Sequence, residues 1–141
     1  MAYQEYVAAF LFSENRRSVA LIRKNKPEWQ AGKFNGIGGK VEPGETPIEA
    51  MEREFLEEAG LHVTGWKHKV TLHKEGEFDV HFYYAFDDRV FSVRTMEKEV
   101  VDVIDVAYLP MVKHVPNLSW LIPLCLEPLT QDGIVINFTG P

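Results

Sequence analysis

Three glutamates, Glu54, Glu57 and Glu58, follow Arg53 directly downstream of a glycine-rich run at residues 36–44. On a helix, Glu54 and Glu58 stand one turn apart with Glu57 beside them. As a merely solvated face this is a poor arrangement. Like charges at i, i+4 repel, and anions in a last turn oppose the helix dipole. Within the helix only Arg53 offers the opposite charge. A divalent cation reverses the sign of all these terms, because Mg²⁺ is held by a few carboxylates together with water and phosphate oxygens. The chemistry suited to such a cluster is attack of water on an anionic diphosphate, since metal acidifies water and neutralises phosphate charge near neutral pH.

The helix that must carry these acids is locally well specified. Thr46 is placed as N-cap, Pro47 at the first helical position, and Glu49 completes a capping box. Gly60 supplies a left-handed stop. Between them Ile48, Met51, Phe55 and Ala59 follow helical spacing and predict a buried stripe, with the three acids on another face. Upstream, residues 34–41 predict a strand carrying glycines at 36, 38 and 39, a pattern of bulges or of close ligand approach.

The remaining elements frame this unit. Residues 3–12 and 18–23 predict a hairpin, and 24–33 a loop containing Pro27, Trp29 and Gly32. Residues 63–72 and 78–86 predict strands, 87–94 a turn and short extended piece, and 100–106 a buried strand preceded by Glu97 and Glu99. Residues 118–126 predict a short apolar helix bent or begun by Pro123, and 134–138 a last strand. The fold class expected is α/β: a mixed β-sheet flanked by helices on two sides.

Length and composition fit one domain over residues 1–141, with 45% hydrophobic content. A net charge of −6 and an isoelectric point near 5.4 argue against a nucleic-acid polymer as partner and leave a small nucleotide held through metal. The single cysteine, Cys125, sits in an apolar run as a small hydrophobe and suits a reducing, cytoplasmic location. The apolar run 6–12 is too short to span a membrane. The five histidines have no spacing typical of a zinc site and read as structural or surface residues. His81, in a strand-like run, reads as a satisfied half-buried side chain.

Gly39, Glu45, Arg53, Glu54, Glu57, Glu58, Gly60 and Leu61 match the pattern G-x5-E-x7-R-E-U-x-E-E-x-G-U, with Phe55 at its aliphatic position, so the segment resembles the Nudix box. That resemblance implies a Nudix-type α/β/α sandwich and a Mg²⁺ or Mn²⁺ cofactor. It makes Glu57 and Glu58 the principal ligands, Glu54 a ligand or base, and the Gly38 carbonyl a further ligand. Glu45 and Arg53 become structural partners within the motif, alongside Gly39 and Gly60. Many members add a late carboxylate. Glu99 is the candidate here, with Glu97 and Asp102 as rivals. Arg23, near the end of the second strand, is a candidate phosphate contact.

A wider resemblance covers Trp29, the segment GKFNGIGGKVEPGET, the run DVHF at 79–82, and Pro116 with SWLIPL at 119–124. These are similar to the oxidised-purine nucleoside triphosphatase branch, in which residues at the places of Asn35 and Trp29 bind the base and line its pocket. The branch carries two adjacent aspartates where this chain has Asn117 and Leu118, and a stacking tryptophan where it has Val115. Asn117 is retained as a substrate contact. No proline lies between Pro47 and Pro110, unlike an ADP-ribose hydrolase, and the coenzyme A signature is absent. The activity implied is cleavage of a nucleoside triphosphate to monophosphate and pyrophosphate. Alternatives are a nucleoside diphosphate sugar or dinucleotide hydrolase and a non-catalytic nucleotide sensor.

Overall fold

The computed structural model describes residues 3–128 and 130–139. Its elements in chain order are β1 (Gln4–Phe12), β2 (Ser18–Arg23), β3 (Phe34–Asn35), β4 (Ile37–Lys40), α1 (Pro47–Ala59), β5 (Lys67–Lys74), β6 (Phe78–Phe86), β7 (Val101–Asp105), α2 (Leu118–Leu126) and β8 (Ile134–Asn137). The path across the sheet is β3-β2-β1-β6-β5-β8, with β4 also paired to β1 and β7 to β2. β1 runs parallel to β6, and β5 parallel to β8. The other pairings are antiparallel.

The alternation of β1 sorts the molecule into two layers. Val7, Ala9 and Leu11 face one core, shared with Met51, Phe55 and Ala59 of α1. Ala8, Phe10 and Phe12 face the other, shared with Leu118, Leu121, Ile122 and Cys125 of α2. A central strand covered on both faces must be apolar at nearly every position, as β1 is. The mixed sheet between two helical layers is the expected α/β/α sandwich. Phe55 packs against Trp66 with ring centroids 5.1 Å apart, so the enlarged side chain at the aliphatic position of the motif is absorbed by an aromatic neighbour.

Several local expectations are corrected. The strand predicted over 34–41 divides at Gly36, whose backbone runs so close to β1 that an added Cβ would stand 3.1 Å from the Phe10 ring. The strand predicted from 63 begins only at Lys67, because Val63 and Trp66 turn into the core beneath α1. Residues 87–94 hold a 3-10 turn at Asp88–Ser92, started by the Asp87 carboxylate accepting from the Arg89 amide. A second 3-10 turn, Glu28–Gln30, lies inside the predicted loop 24–33. A register shift in β5 between His68 and Val70 accompanies an inward-facing Lys69, whose Nζ donates to Thr130 Oγ1 at 2.7 Å and Asp132 at 3.0 Å. Among the described residues no helix is long and apolar enough to cross a membrane.

Candidate active site

The phase of α1 is fixed at both ends. The Thr46 hydroxyl accepts from the Glu49 amide at 3.3 Å, and the Glu49 carboxylate accepts from the Thr46 amide at 2.9 Å. At the other end Gly60, at φ 72°, donates its amide to the Leu56 carbonyl. With Met51, Phe55 and Ala59 committed to the core, the Glu54 carboxylate comes to lie against β4.

Arg53 ties the preceding loop to this helix. Its guanidinium donates to both oxygens of Glu45 at 2.6 and 2.9 Å, to the Lys40 carbonyl at 3.0 Å, to Glu54 at 2.9 Å and to Glu57 at 3.2 Å. Bidentate charge-assisted bonds of this kind are strong and directional. They hold the Glu45 carboxyl below its ordinary pKa.

Two glycines bring β4 against these acids. A Cβ on Gly39 would stand 2.6 Å from the Glu54 carboxyl carbon, so only glycine leaves that side chain its place. A Cβ on Gly38 would fall 1.8 Å from the Val7 carbonyl oxygen, inside the β1–β4 pairing. Behind Glu54, the Glu58 Oε2 is buried with no hydrogen-bond partner. Burial, followed by the Glu54 charge, pushes the Glu58 pKa up to about 8. Burial also raises Glu54, against the pull of Arg53. Leaving a carboxylate oxygen buried and unpaired is costly. A divalent cation would satisfy it, so the donor set fits such an ion.

Glu97 and Glu99 both lie near enough to add to the upward push on Glu58. Glu99 accepts from Lys24 Nζ at 3.0 Å and from the Asn25 amide at 2.5 Å. Burial raises its pKa, but these bonds outweigh it and leave the group below its ordinary value. Asp102 is exposed on β7, its carboxylate taken by the Val103 amide.

A cavity of about 690 Å³ opens on the far side of the same glycines. Gly38 and Gly39 form part of its wall; Trp29, Gln30, Asn35 and Asn117 line it, over an apolar floor that includes Val80, Phe82 and Val115. Asn35 donates to Gln30 Oε1 at 2.9 Å and accepts from the Gly36 amide at 2.8 Å. Asn117 opens α2 without a side-chain capping bond. Trp29 is 59% exposed at the rim.

The fold thus gathers Gly38, Gly39, Glu45, Arg53, Glu54, Glu57, Glu58 and Glu99 along one side of α1. It places Trp29, Asn35 and Asn117 together in the cavity. Arg23 stands apart. Its guanidinium lies 5.0 Å from the centroid of the Phe34 ring, and it is not part of the cavity wall. Sequence reasoning passes over Lys24, Gln30 and Phe138, which do line the cavity. Lys24 carries no mark that separates it from its basic neighbours, and Phe138 arrives only through the pairing of β8 with β5.

Residues 2–118 match the family described as NUDIX domain. The oxidized purine nucleoside triphosphate hydrolase of Mus musculus is 35% identical over 119 residues, covering 76% of this chain and 71% of that protein. A MutT structure from work on Aliivibrio salmonicida and Vibrio cholerae superposes with a TM-score of 0.69 at 24% identity, over 86% of this chain and 95% of that one. The NUDIX domain of Shewanella oneidensis NrtR, solved with ADP ribose, gives a TM-score of 0.76 at 18% identity, over 92% and 90%. With its glutamate helix and glycine wall matched along most of its length, the chain belongs to the NUDIX family and is a pyrophosphohydrolase acting on phosphoric anhydrides.

Proposed function

We propose that the protein is a Mg²⁺-dependent pyrophosphohydrolase that converts a nucleoside triphosphate, oxidised purine forms included, to the monophosphate and pyrophosphate. Residues 1–141 act as one catalytic domain, in a reducing, cytoplasmic setting. The observation that carries the reading is Gly39, which belongs both to the cavity wall and to the surface against which Glu54 rests. A nucleoside in the cavity therefore directs its phosphates across glycine backbone toward the acids of α1. The cavity volume is of the size that encloses a small ligand.

Glu57, Glu58, Glu99 and the Gly38 carbonyl are the ligands proposed for Mg²⁺, with Mn²⁺ as a substitute. The ion supplies charge neutralisation on the phosphates and favours ionisation of a water. Glu54, closest to the glycine wall and raised in pKa by burial, takes the proton of the attacking water. The water oxygen bonds to phosphorus, the anhydride P–O bond breaks, and its electron pair leaves on the departing phosphate. Arg53 and Glu45 hold Glu54 and the glycine loop in place. Asn35, Gln30 and Asn117 offer amide edges, each with donor and acceptor, to a base that stacks on Trp29. The substrate class is supported by the name of the Mus musculus relative.

The test is product analysis with nucleoside triphosphates, oxidised purine triphosphates, nucleotide sugars and dinucleotides, with and without Mg²⁺. Monophosphate plus pyrophosphate from a triphosphate, dependent on metal and reduced at least about 100-fold by Glu57→Gln, is the expected result. Cleavage confined to sugars or dinucleotides refutes the substrate assignment. Binding without any cleavage makes the domain a sensor.

A further inference from the structure

Residues 94–101 connect the last turn of α1 to the rim of the cavity. Their first leg runs along the helix end: the Arg94 amide donates to the Ala59 carbonyl at 3.0 Å and the Met96 amide to the Glu58 carbonyl at 3.3 Å. These are carbonyls that a helix terminus leaves without an intrahelical partner. The same leg closes over Gly60, where an added Cβ would stand 2.8 Å from Arg94 Nε and 2.9 Å from Met96 Sδ. The second leg enters β7 beside β2, with the Arg23 amide donating to the Val100 carbonyl at 2.8 Å and Val101 paired with Ile22. Between the legs lies Glu99. Its two oxygens accept from Lys24 Nζ and from the Asn25 amide, so the tip of the segment is fastened to the loop that carries Trp29.

One side chain closes the neck of this segment. The Val101 amide donates to Thr95 Oγ1 at 3.0 Å, and the Thr95 hydroxyl donates back to the Val101 carbonyl at 3.4 Å. A hydroxyl has one proton and two lone pairs, so it serves both backbone groups of one residue. Among the described residues β7 pairs only with β2, and Thr95 stands on its other edge. Valine in its place keeps the shape and offers neither donor nor acceptor. Because Thr95 is exposed, its replacement opens no cavity in the core. What changes is the hold between the two legs. With the neck open, Glu99 follows Lys24 and Asn25 of the cavity loop and is no longer tied to the end of α1. A metal ligand depends on the groups that fix its orientation, and loses affinity without them.

We propose, on the reading above that Glu99 is a ligand of the divalent ion, that residues 94–101 form a strap setting Glu99 between α1 and the cavity loop, and that Thr95 is the positioning residue of this strap. Thr95 touches neither ion nor nucleotide. It acts through Glu99 alone. A hydroxyl that merely started β7 would stabilise the strand and leave metal affinity to the carboxylates. Coupling separates the two roles, because the effects of side chains that act through one another do not add, whereas those of independent ones do.

The experiment is a double-mutant cycle read by Mn²⁺ binding to the full chain, with free ion measured by electron paramagnetic resonance. Glu99→Gln is expected to weaken Mn²⁺ at least about tenfold, and Thr95→Val about tenfold. In the Glu99→Gln background, Thr95→Val should then change the affinity by no more than about twofold. Thr95→Ser keeps the hydroxyl and restores wild-type affinity. Thr95→Ala enters the same cycle as the second variant, and thermal melts check that each protein is folded. Mn²⁺ affinity unchanged by Thr95→Val and Thr95→Ala, losses that add in the double variant, or no recovery with serine overturns the proposal while leaving Glu99 a ligand. Glu99→Gln without effect removes Glu99 from the metal site, and overturns the ligand assignment together with the strap.

Discussion

Glu58→Gln separates the cost of the buried carboxylate from its use. In the metal-free protein the Glu58 pKa stands at about 8 against an ordinary 4.5, burial being the main cause. Between these values the native state binds a proton that the unfolded chain has released, so stability falls as pH rises through the window and levels off above about 8. One such proton is worth about 1.4 kcal/mol per pH unit, and up to about 5 kcal/mol over the whole interval. The amide introduced by Glu58→Gln does not titrate. Any penalty for its own unpaired atoms, about 1–3 kcal/mol, is independent of pH. The readout is therefore the slope of the difference in unfolding free energy, variant minus wild type, from urea titrations at pH 5 to 8.5 with chelator present. A difference that rises in favour of the variant across this range is expected, and saturating Mg²⁺ removes it by holding Glu58 ionised in the native state. A flat difference curve refutes the reasoning, because Glu58 would then ionise as an ordinary surface acid.

Gly39→Ala and Gly38→Ala should fail differently. At Gly39 the new methyl meets the mobile end of Glu54, so the fold survives and turnover falls at least about tenfold. At Gly38 it meets the Val7 backbone, and thermal melts should show a loss of about 3 kcal/mol or more. Arg53→Ala releases four carboxylates and the Lys40 carbonyl from a half-exposed hub, and a drop of about 1–3 kcal/mol is expected in urea unfolding. Trp29→Ala removes a stacking surface worth about 1–3 kcal/mol, read as a rise in KM with kcat little changed. A fall in kcat at constant KM would place Trp29 elsewhere in the reaction.

The glutamate helix is legible in the sequence because every signal that defines it is local: Thr46, Pro47 and Glu49 at one end, Gly60 at the other, and an apolar stripe between. β1 is legible for a related reason, since a strand covered on both faces is apolar throughout. What escapes the sequence depends on distant partners. Val63 and Trp66 have strand-like composition, yet they serve as plugs beneath α1. Lys69 breaks period-two reasoning through a bulge, and its partners Thr130 and Asp132 lie some sixty residues away. Glu99 is a candidate by position alone, and its hold on Lys24 and the Asn25 amide has no local signature. The histidine–carboxylate pairs escape the sequence because His73 and His81 meet Asp79 and Glu5 only through the registers of three strands.

The two sides of the glycine wall carry opposite charge. No carboxylate lines the cavity among the described residues, whereas Lys24 and Lys40 do, and across Gly39 stand Glu54, Glu57 and Glu58. Leu118, at the place of the second branch aspartate, is fully buried in the α2 core, which leaves Asn117 as the group able to meet a base. Neutral amides then distinguish bases by donor and acceptor pattern, without the fixed negative charge of an aspartate pair. The polyphosphate faces a different balance. Lys24 is already engaged by Glu99, so its charge is largely spent before any phosphate arrives. Glu58 holds a proton in the metal-free protein below about pH 8, yet Glu54 and Glu57 still repel a triphosphate over a few ångströms more strongly than one remaining lysine attracts it. In the proposed reaction Mg²⁺ is therefore required for the phosphates to occupy their place at all, and the acids that destabilise the metal-free helix are what make binding conditional on the ion.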